Sequence, residues 1–123
     1  MSEALIIDDN RTTADALGQM LNVLGFAARV AYGSGAAMKI LAGGFTPKFI
    51  CLDINMPGVN GIEILAYLRR EPRLILVPVW IITSDDQPET RRKVMGLGAN
   101  GIIIKPATID ALEDALKKAR FLK

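Results

Sequence analysis

Four short polar clusters carry the side chains that could do chemistry: Asp8-Asp9, Asp53, Thr83 and Lys105. Each directly follows an apolar run: Leu5-Ile6-Ile7, Ile50-Cys51-Leu52, Trp80-Ile81-Ile82 and Ile102-Ile103-Ile104. Asp8, Asp9 and Asp53, once brought together, are like charges, which either raise a pKa or recruit a cation. An all-oxygen site suits Mg²⁺ or Mn²⁺. Three carboxylates, one such dication and the Lys105 ammonium sum to zero charge, so an anionic phosphoryl group could approach. Phosphoryl transfer needs an in-line nucleophile, charge neutralisation and fixed donors. A carboxylate can be that nucleophile and form an acyl phosphate. Asp53 is the best choice because it ends what reads as the central strand and enters a loop. Asp8, Asp9 and Asp53 would hold the metal, with the backbone carbonyl of Asn55 as a further oxygen. Lys105 and the Thr83 hydroxyl would take phosphoryl oxygens.

Each cluster alone has a plainer reading. Asp8-Asp9-Asn10 can open a helix, an Asp after a strand can cap a turn, and Lys105-Pro106 can be a turn. The joint arrangement favours the site.

The elements that must position these groups are legible as alternating patterns. Ala4–Ile7, Phe26–Ala31, Phe49–Leu52, Val79–Ile82 and Gly101–Ile104 read as strands. Between them lie helical periods. Leu17, Leu21 and Leu24 share a face that Gly25 ends. Residues 34–42 place Met38 and Leu41 inward, and residues 61–70 place Ile62, Leu65 and Leu68 inward before Pro72. Asp86 and Glu89 are spaced like a capping box, with Pro88 early in a helix running to about Leu97. That helix has a thin apolar stripe, chiefly Val94 and Leu97, and should pack weakly. Thr108 caps a last helix with Leu112, Ala115, Leu116 and Ala119 inward. Uniformly apolar strands are buried on both faces, as in parallel sheets. Five strands alternating with five helices predict a doubly wound α/β three-layer sandwich, one domain over residues 1–123. In such a sheet ligands bind beyond the carboxyl ends of the strands, where all four clusters lie.

Composition narrows the functions. The chain has no histidine, which removes His-based acid–base catalysis, His-ligated metals and a role as histidine phosphodonor. Cys51, the sole cysteine, sits in an apolar run and reads as a buried, inert thiol. A net charge of +2 from 15 basic and 13 acidic residues is too balanced to predict nucleic-acid binding. Arg91-Arg92-Lys93 reads as a solvated helix face. The early first apolar run predicts no signal peptide, and no run approaches the ~20 residues of a membrane span. A cytoplasmic location is the expectation.

The chain resembles the receiver domains of two-component response regulators, the CheY-like family. The resemblance rests on Leu5-Ile6-Ile7-Asp8-Asp9, on Leu52-Asp53-Ile54-Asn55-Met56-Pro57-Gly58 with Asn60-Gly61, on Ile82-Thr83-Ser84, and on Gly98-Ala99-Asn100-Gly101 leading to Lys105-Pro106. The intervals between Asp53, Thr83 and Lys105 are also similar to the family's, and the likeness covers essentially the whole chain. It implies a flavodoxin-like sheet of order 2-1-3-4-5 and a commonly cis Lys105–Pro106 bond. It implies a switch that catalyses its own phosphorylation and slow dephosphorylation and is otherwise no enzyme. The donor would be a phosphohistidine on a sensor histidine kinase or histidine phosphotransfer protein, or a small acyl phosphate. The output would pass to a downstream protein or an attached output domain through the fourth helix, fifth strand and last helix. Asn55 and Asp85 occupy positions that tune phosphoryl lifetime in the family. One position departs: Ile102 stands where many receivers carry an aromatic residue that rotates inward on activation.

Two other classes compete. A phosphorylation-independent interaction module of the same fold is favoured only by Ile102. A phosphatase of the haloacid dehalogenase type also uses an Asp nucleophile, but resembles Asp-x-Asp where this chain has Asn55, and needs a cap domain. Gly33-Ser34-Gly35 is too short for a Gly-rich phosphate fingerprint.

Overall fold

The apolar runs and helical periods become five strands and five helices in strict alternation in the computed structural model, which describes residues 2–56 and 60–121. Pro57-Gly58 of the motif around Asp53 lies outside the described residues. The order is β1 (Ser2–Ile7), α1 (Arg11–Val23), β2 (Phe26–Ala31), α2 (Ser34–Ala42), β3 (Phe49–Leu52), α3 (Gly61–Arg70), β4 (Val79–Thr83), α4 (Pro88–Gly96), β5 (Gly101–Ile104) and α5 (Ile109–Lys118). All pairings are parallel and the strand order is β2-β1-β3-β4-β5, the doubly wound flavodoxin-like arrangement expected. Strand order reverses between β1 and β3, so a crevice opens beyond their carboxyl ends.

Side-chain alternation splits the core into two layers. Leu5, Ile7, Ile50, Leu52, Val79 and Ile81 face α2, α3 and α4. Ala4, Ile6, Phe49, Cys51, Trp80, Ile82 and Ile103 face α1 and α5. Cys51 is buried, and burial pushes its thiol up to about 12, which leaves it protonated and inert as expected. Uniform burial does not extend to the two outer strands, each with one neighbour: Arg29 of β2 and Ile104 of β5 are exposed. No helix among the described residues is long and apolar enough to cross a membrane.

Local chemistry sets the helix ends. Asn10 caps α1 by accepting from the Thr13 N–H at 3.0 Å, Asn60 caps α3 from Glu63 at 3.1 Å, and Thr108 caps α5 from Ala111 at 3.1 Å. Gly25 turns the chain out of α1 at φ +98°. The inward stripes differ in detail from expectation. Ala37 and Leu41 are the buried residues of α2, with Met38 at the edge. Ile64, Leu65 and Leu68 are the apolar side chains that α3 buries, and Ile62, one turn earlier, is only half-buried.

α4 brings one correction and one confirmation. The Asp86–Glu89 capping box does not form. Pro88 takes the first helical position, so Gln87 becomes the cap residue and makes no side-chain bond, while Asp86 stands one residue too early. The thin stripe is as expected: Val94 alone is buried. At about 1.5–3 kcal/mol per buried aliphatic side chain, α3 is held several-fold more firmly than α4.

Candidate functional site

The strand ladder continues one residue past the carboxyl ends of β1, β3 and β5, and Thr83 closes β4, which together fix the functional groups. Asp8 N–H donates to the Ala31 carbonyl at 3.1 Å, Asp53 N–H to Ile7 at 2.9 Å, and Lys105 N–H to Thr83 at 2.8 Å. Each polar residue is thus tied to a neighbouring strand before its side chain leaves the sheet. Asp8 and Asp53 are buried, at 1% and 5% exposure, and Thr83 is fully buried. Asp9, Asn55 and Lys105 complete the rim, with Asp9 and Asn55 exposed.

The side chains converge. One carboxylate oxygen each from Asp8, Asp9 and Asp53 lie within 4.8 Å of one another. Lys105 Nζ stands 2.9 Å from Asp8 Oδ2 and 3.3 Å from Asp53 Oδ2. Asp53 Oδ1 accepts from the Asn55 N–H at 3.1 Å, and Asp8 Oδ1 from the Asn10 N–H at 3.0 Å. Thr83 Oγ1 accepts from Asn55 Nδ2 at 3.3 Å and from the Asp85 N–H at 3.2 Å. The bond between Lys105 and Pro106 is cis, as the family resemblance implied.

Asp53 has a raised carboxyl pKa. Desolvation is the largest cause; the Asn55 N–H and the Lys105 ammonium act to lower it, and the Asp8 charge acts to raise it. Burial alone would lower Lys105. Its contacts with Asp8 and Asp53 outweigh that and hold the ammonium above its usual pKa.

The donor set fits a small hard cation. Asp8 Oδ2 is buried and paired with the Lys105 ammonium at 2.9 Å. One ammonium offsets only one of the three clustered carboxylate charges, so a dication would be stabilised beside them. The other two carboxylates present oxygens to the same space. All the donors offered are oxygens, a set that suits a hard cation better than softer metals.

Asp8, Asp9, Asp53, Asn55, Thr83 and Lys105, the residues expected to form the site, lie together in this crevice. The aromatic switch position is different: Ile102 pairs in register with Ile81 and is half-buried against the α2/α3/α4 layer. Sequence reasoning missed the reason for Gly61. An ideal Cβ there would overlap the Asp53 carbonyl oxygen and come within 2.5 Å of Ile54 Cα. The first turn of α3 therefore lies directly on the backbone of Asp53. The signal was present as Asn60-Gly61, a cap followed by a residue with no side chain. It also missed the two bonds by which Asp85 holds the start of α4, from the Gln87 N–H and the Thr90 hydroxyl.

The response regulator receiver domain model matches residues 4–117. The chemotaxis protein CheY of Pseudomonas aeruginosa is 32% identical over 116 residues, covering 93% of this chain and 92% of that protein. The chemotaxis protein CheY-3 of Vibrio cholerae is 34% identical over 116 residues, covering 93% and 88%. A putative response regulator from Chloroflexus aurantiacus superposes with a TM-score of 0.87 at 24% identity, over 96% of each chain, which bears on the fold alone. With strand order, acidic cluster and family match in agreement, the chain belongs to the response regulator receiver domains, the CheY-like signalling switches of two-component systems.

Proposed function

We propose that this receiver accepts a phosphoryl group on Asp53 in a two-component phosphorelay, with Mg²⁺ (or Mn²⁺) held by Asp8, Asp9, Asp53 and the backbone carbonyl of Asn55. The observation that carries the reading is the gathering of three carboxylates and one ammonium in one crevice. The metal, when bound, supplies charge neutralisation for an anionic donor and for the transferred group.

The chain's own residues do the rest. An Asp53 carboxylate oxygen attacks phosphorus in line. A P–O bond forms as the P–N bond of a phosphohistidine breaks, and the leaving imidazole nitrogen keeps the electron pair and takes a proton from solvent. The Asn55 N–H holds one Asp53 oxygen, which orients the carboxylate. Lys105, already 3.3 Å from Asp53, turns from the carboxylates to a phosphoryl oxygen. Thr83 Oγ1 already accepts two hydrogen bonds, so its own proton is free to be donated to a second phosphoryl oxygen. Drawing Thr83 inward moves the β4–α4 connection, and the thinly packed α4 follows. Output then passes through α4, β5 and α5 to a downstream protein or an attached output domain. Ile102 is β-branched and stiff at χ1, so the switch runs without an aromatic rotor. The phosphodonor is a sensor histidine kinase or a histidine phosphotransfer protein of the cytosol. Enzymatic turnover is confined to self-phosphorylation and slow self-dephosphorylation.

Intact mass after incubation with acetyl phosphate tests this. The expected result is a gain of one phosphoryl group that requires Mg²⁺ and is absent in Asp53→Ala. No gain with the metal present overturns the reading and favours a phosphorylation-independent module.

A further inference from the structure

α4 is tied down at its two ends by chemically different devices. Its carboxyl end is pinned by Arg69 of α3. That guanidinium donates to the Gly98 carbonyl at 3.0 Å, to Asn100 Oδ1 at 3.1 Å, and to the Leu74 and Ile75 carbonyls at 3.3 and 3.2 Å. Asn100 Oδ1 also accepts from the Val79 N–H at 2.9 Å, which extends the knot to the start of β4. None of these partners belongs to the phosphoacceptor crevice.

The amino end is held differently. Gln87 at the cap position makes no side-chain bond, so the first turn lacks its usual partner. Asp85 substitutes from outside the helix. Its Oδ1 accepts from the Gln87 N–H at 3.0 Å and its Oδ2 from the Thr90 hydroxyl at 2.7 Å. Asp85 is itself held by its own N–H, which donates to Thr83 Oγ1 at 3.2 Å. A chain of hydrogen bonds therefore runs from the Asn55 side-chain amide through the Thr83 hydroxyl and Asp85 to Thr90, and the N–H of Asn55 itself holds Asp53 Oδ1.

We propose that Asp85 and Thr90 form a latch that sets the amino end of α4 in the unphosphorylated state, and that α4 swings about the Arg69 knot when Thr83 moves and the latch opens. This rests on the phosphorylation of Asp53 for the opening step, but not for the latch itself. Asp85 and Thr90 are positioning residues. Displacing Thr83 stretches the Thr83–Asp85 bond, Asp85 shifts with the backbone, and the Thr90 hydroxyl loses its partner. Motion is then largest at residues 87–91 and smallest at 94–100.

Amide exchange on the full chain tests the proposal, with Thr90→Val to remove only the hydroxyl and Thr90→Ser to restore it. The latch requires that Thr90→Val speed exchange at residues 87–91 by about tenfold before any phosphorylation, the scale of one lost charge-assisted hydrogen bond. Exchange at 94–100 stays unchanged, and Thr90→Ser behaves as the parent. After acetyl phosphate and Mg²⁺, with Asp53 modification verified by mass, the parent approaches the Thr90→Val pattern. Unchanged exchange in Thr90→Val overturns the latch. Equal acceleration at 87–91 and 94–100 in the phosphorylated parent overturns the pivot. Absence of the mass gain is a failure of the proposed function, and the unphosphorylated comparison then still decides the latch.

Discussion

Replacing Lys105 by Met asks how much of the fold depends on the cation in the crevice. The aliphatic stem is kept and the charge is removed. Two carboxylates, Asp8 and Asp53, then face one another with 1% and 6% of their side chains exposed and with no countercharge. At distances of 2.9 and 3.3 Å, an effective dielectric of about 20 gives a gross attraction of about 5 kcal/mol for each pair. Much of that is offset, because the ammonium regains hydration when it is not confined and is already 19% exposed. Removing one partner of a buried pair costs about 3–5 kcal/mol net, and the partial exposure places this site near 3. The pH dependence has a definite sign. Burial and mutual repulsion raise the Asp53 carboxyl above its unfolded value, and loss of Lys105 raises it further. A raised folded pKa means stability is present below the unfolded value and lost as pH rises through the folded one. The deficit of Lys105→Met is therefore largest near neutrality and narrows as pH falls toward about 4. Urea unfolding across that range, without divalent metal, is the assay, and added Mg²⁺ should return part of the loss. A deficit below about 1 kcal/mol at neutral pH, or one that does not narrow on acidification, refutes the electrostatic account.

Two further substitutions probe the same crevice. Asp53→Asn keeps the shape and removes a carboxylate whose folded pKa is raised; without metal the variant should resist urea better than the parent at pH 7, and the gain should vanish below the unfolded carboxylate pKa. Gly61→Ala should lose about 2–3 kcal/mol in equilibrium unfolding, since the added Cβ meets backbone of Asp53 and Ile54 rather than a movable side chain, and a neutral result would mean that α3 can move away.

The sheet and the site were legible because their signals are local and redundant. Four apolar runs each ending in a polar residue fixed both the strands and the side of the sheet where chemistry collects. Thr108 announced the last helix by its capping chemistry, and the Asn10 and Asn60 caps obey the same rule. What was not legible depends on contacts between segments remote in sequence. The Asp86–Glu89 spacing matched a capping box, yet Pro88 shifted the helix start by one residue and Asp85 took the capping work. Arg69 reads as one more basic residue on α3, but the fold brings Gly98 and Asn100 to it from across the α4–β5 turn. Gly61 could be placed at a helix start, but only the packed backbone explains why a methyl group has no room.

The indole of Trp80 gives the chain a built-in optical reporter with an unusual blind side. It is 7% exposed, and its ring packs so closely on Gly101 that an ideal Cβ there would overlap it. It lies in the layer facing α1 and α5, whereas Val94 anchors α4 on the opposite layer. Emission from this sole tryptophan should register loss of the α1/α5 packing and stay quiet while α4 swings. A spectral change on phosphoryl transfer would mean that the disturbance had crossed the sheet.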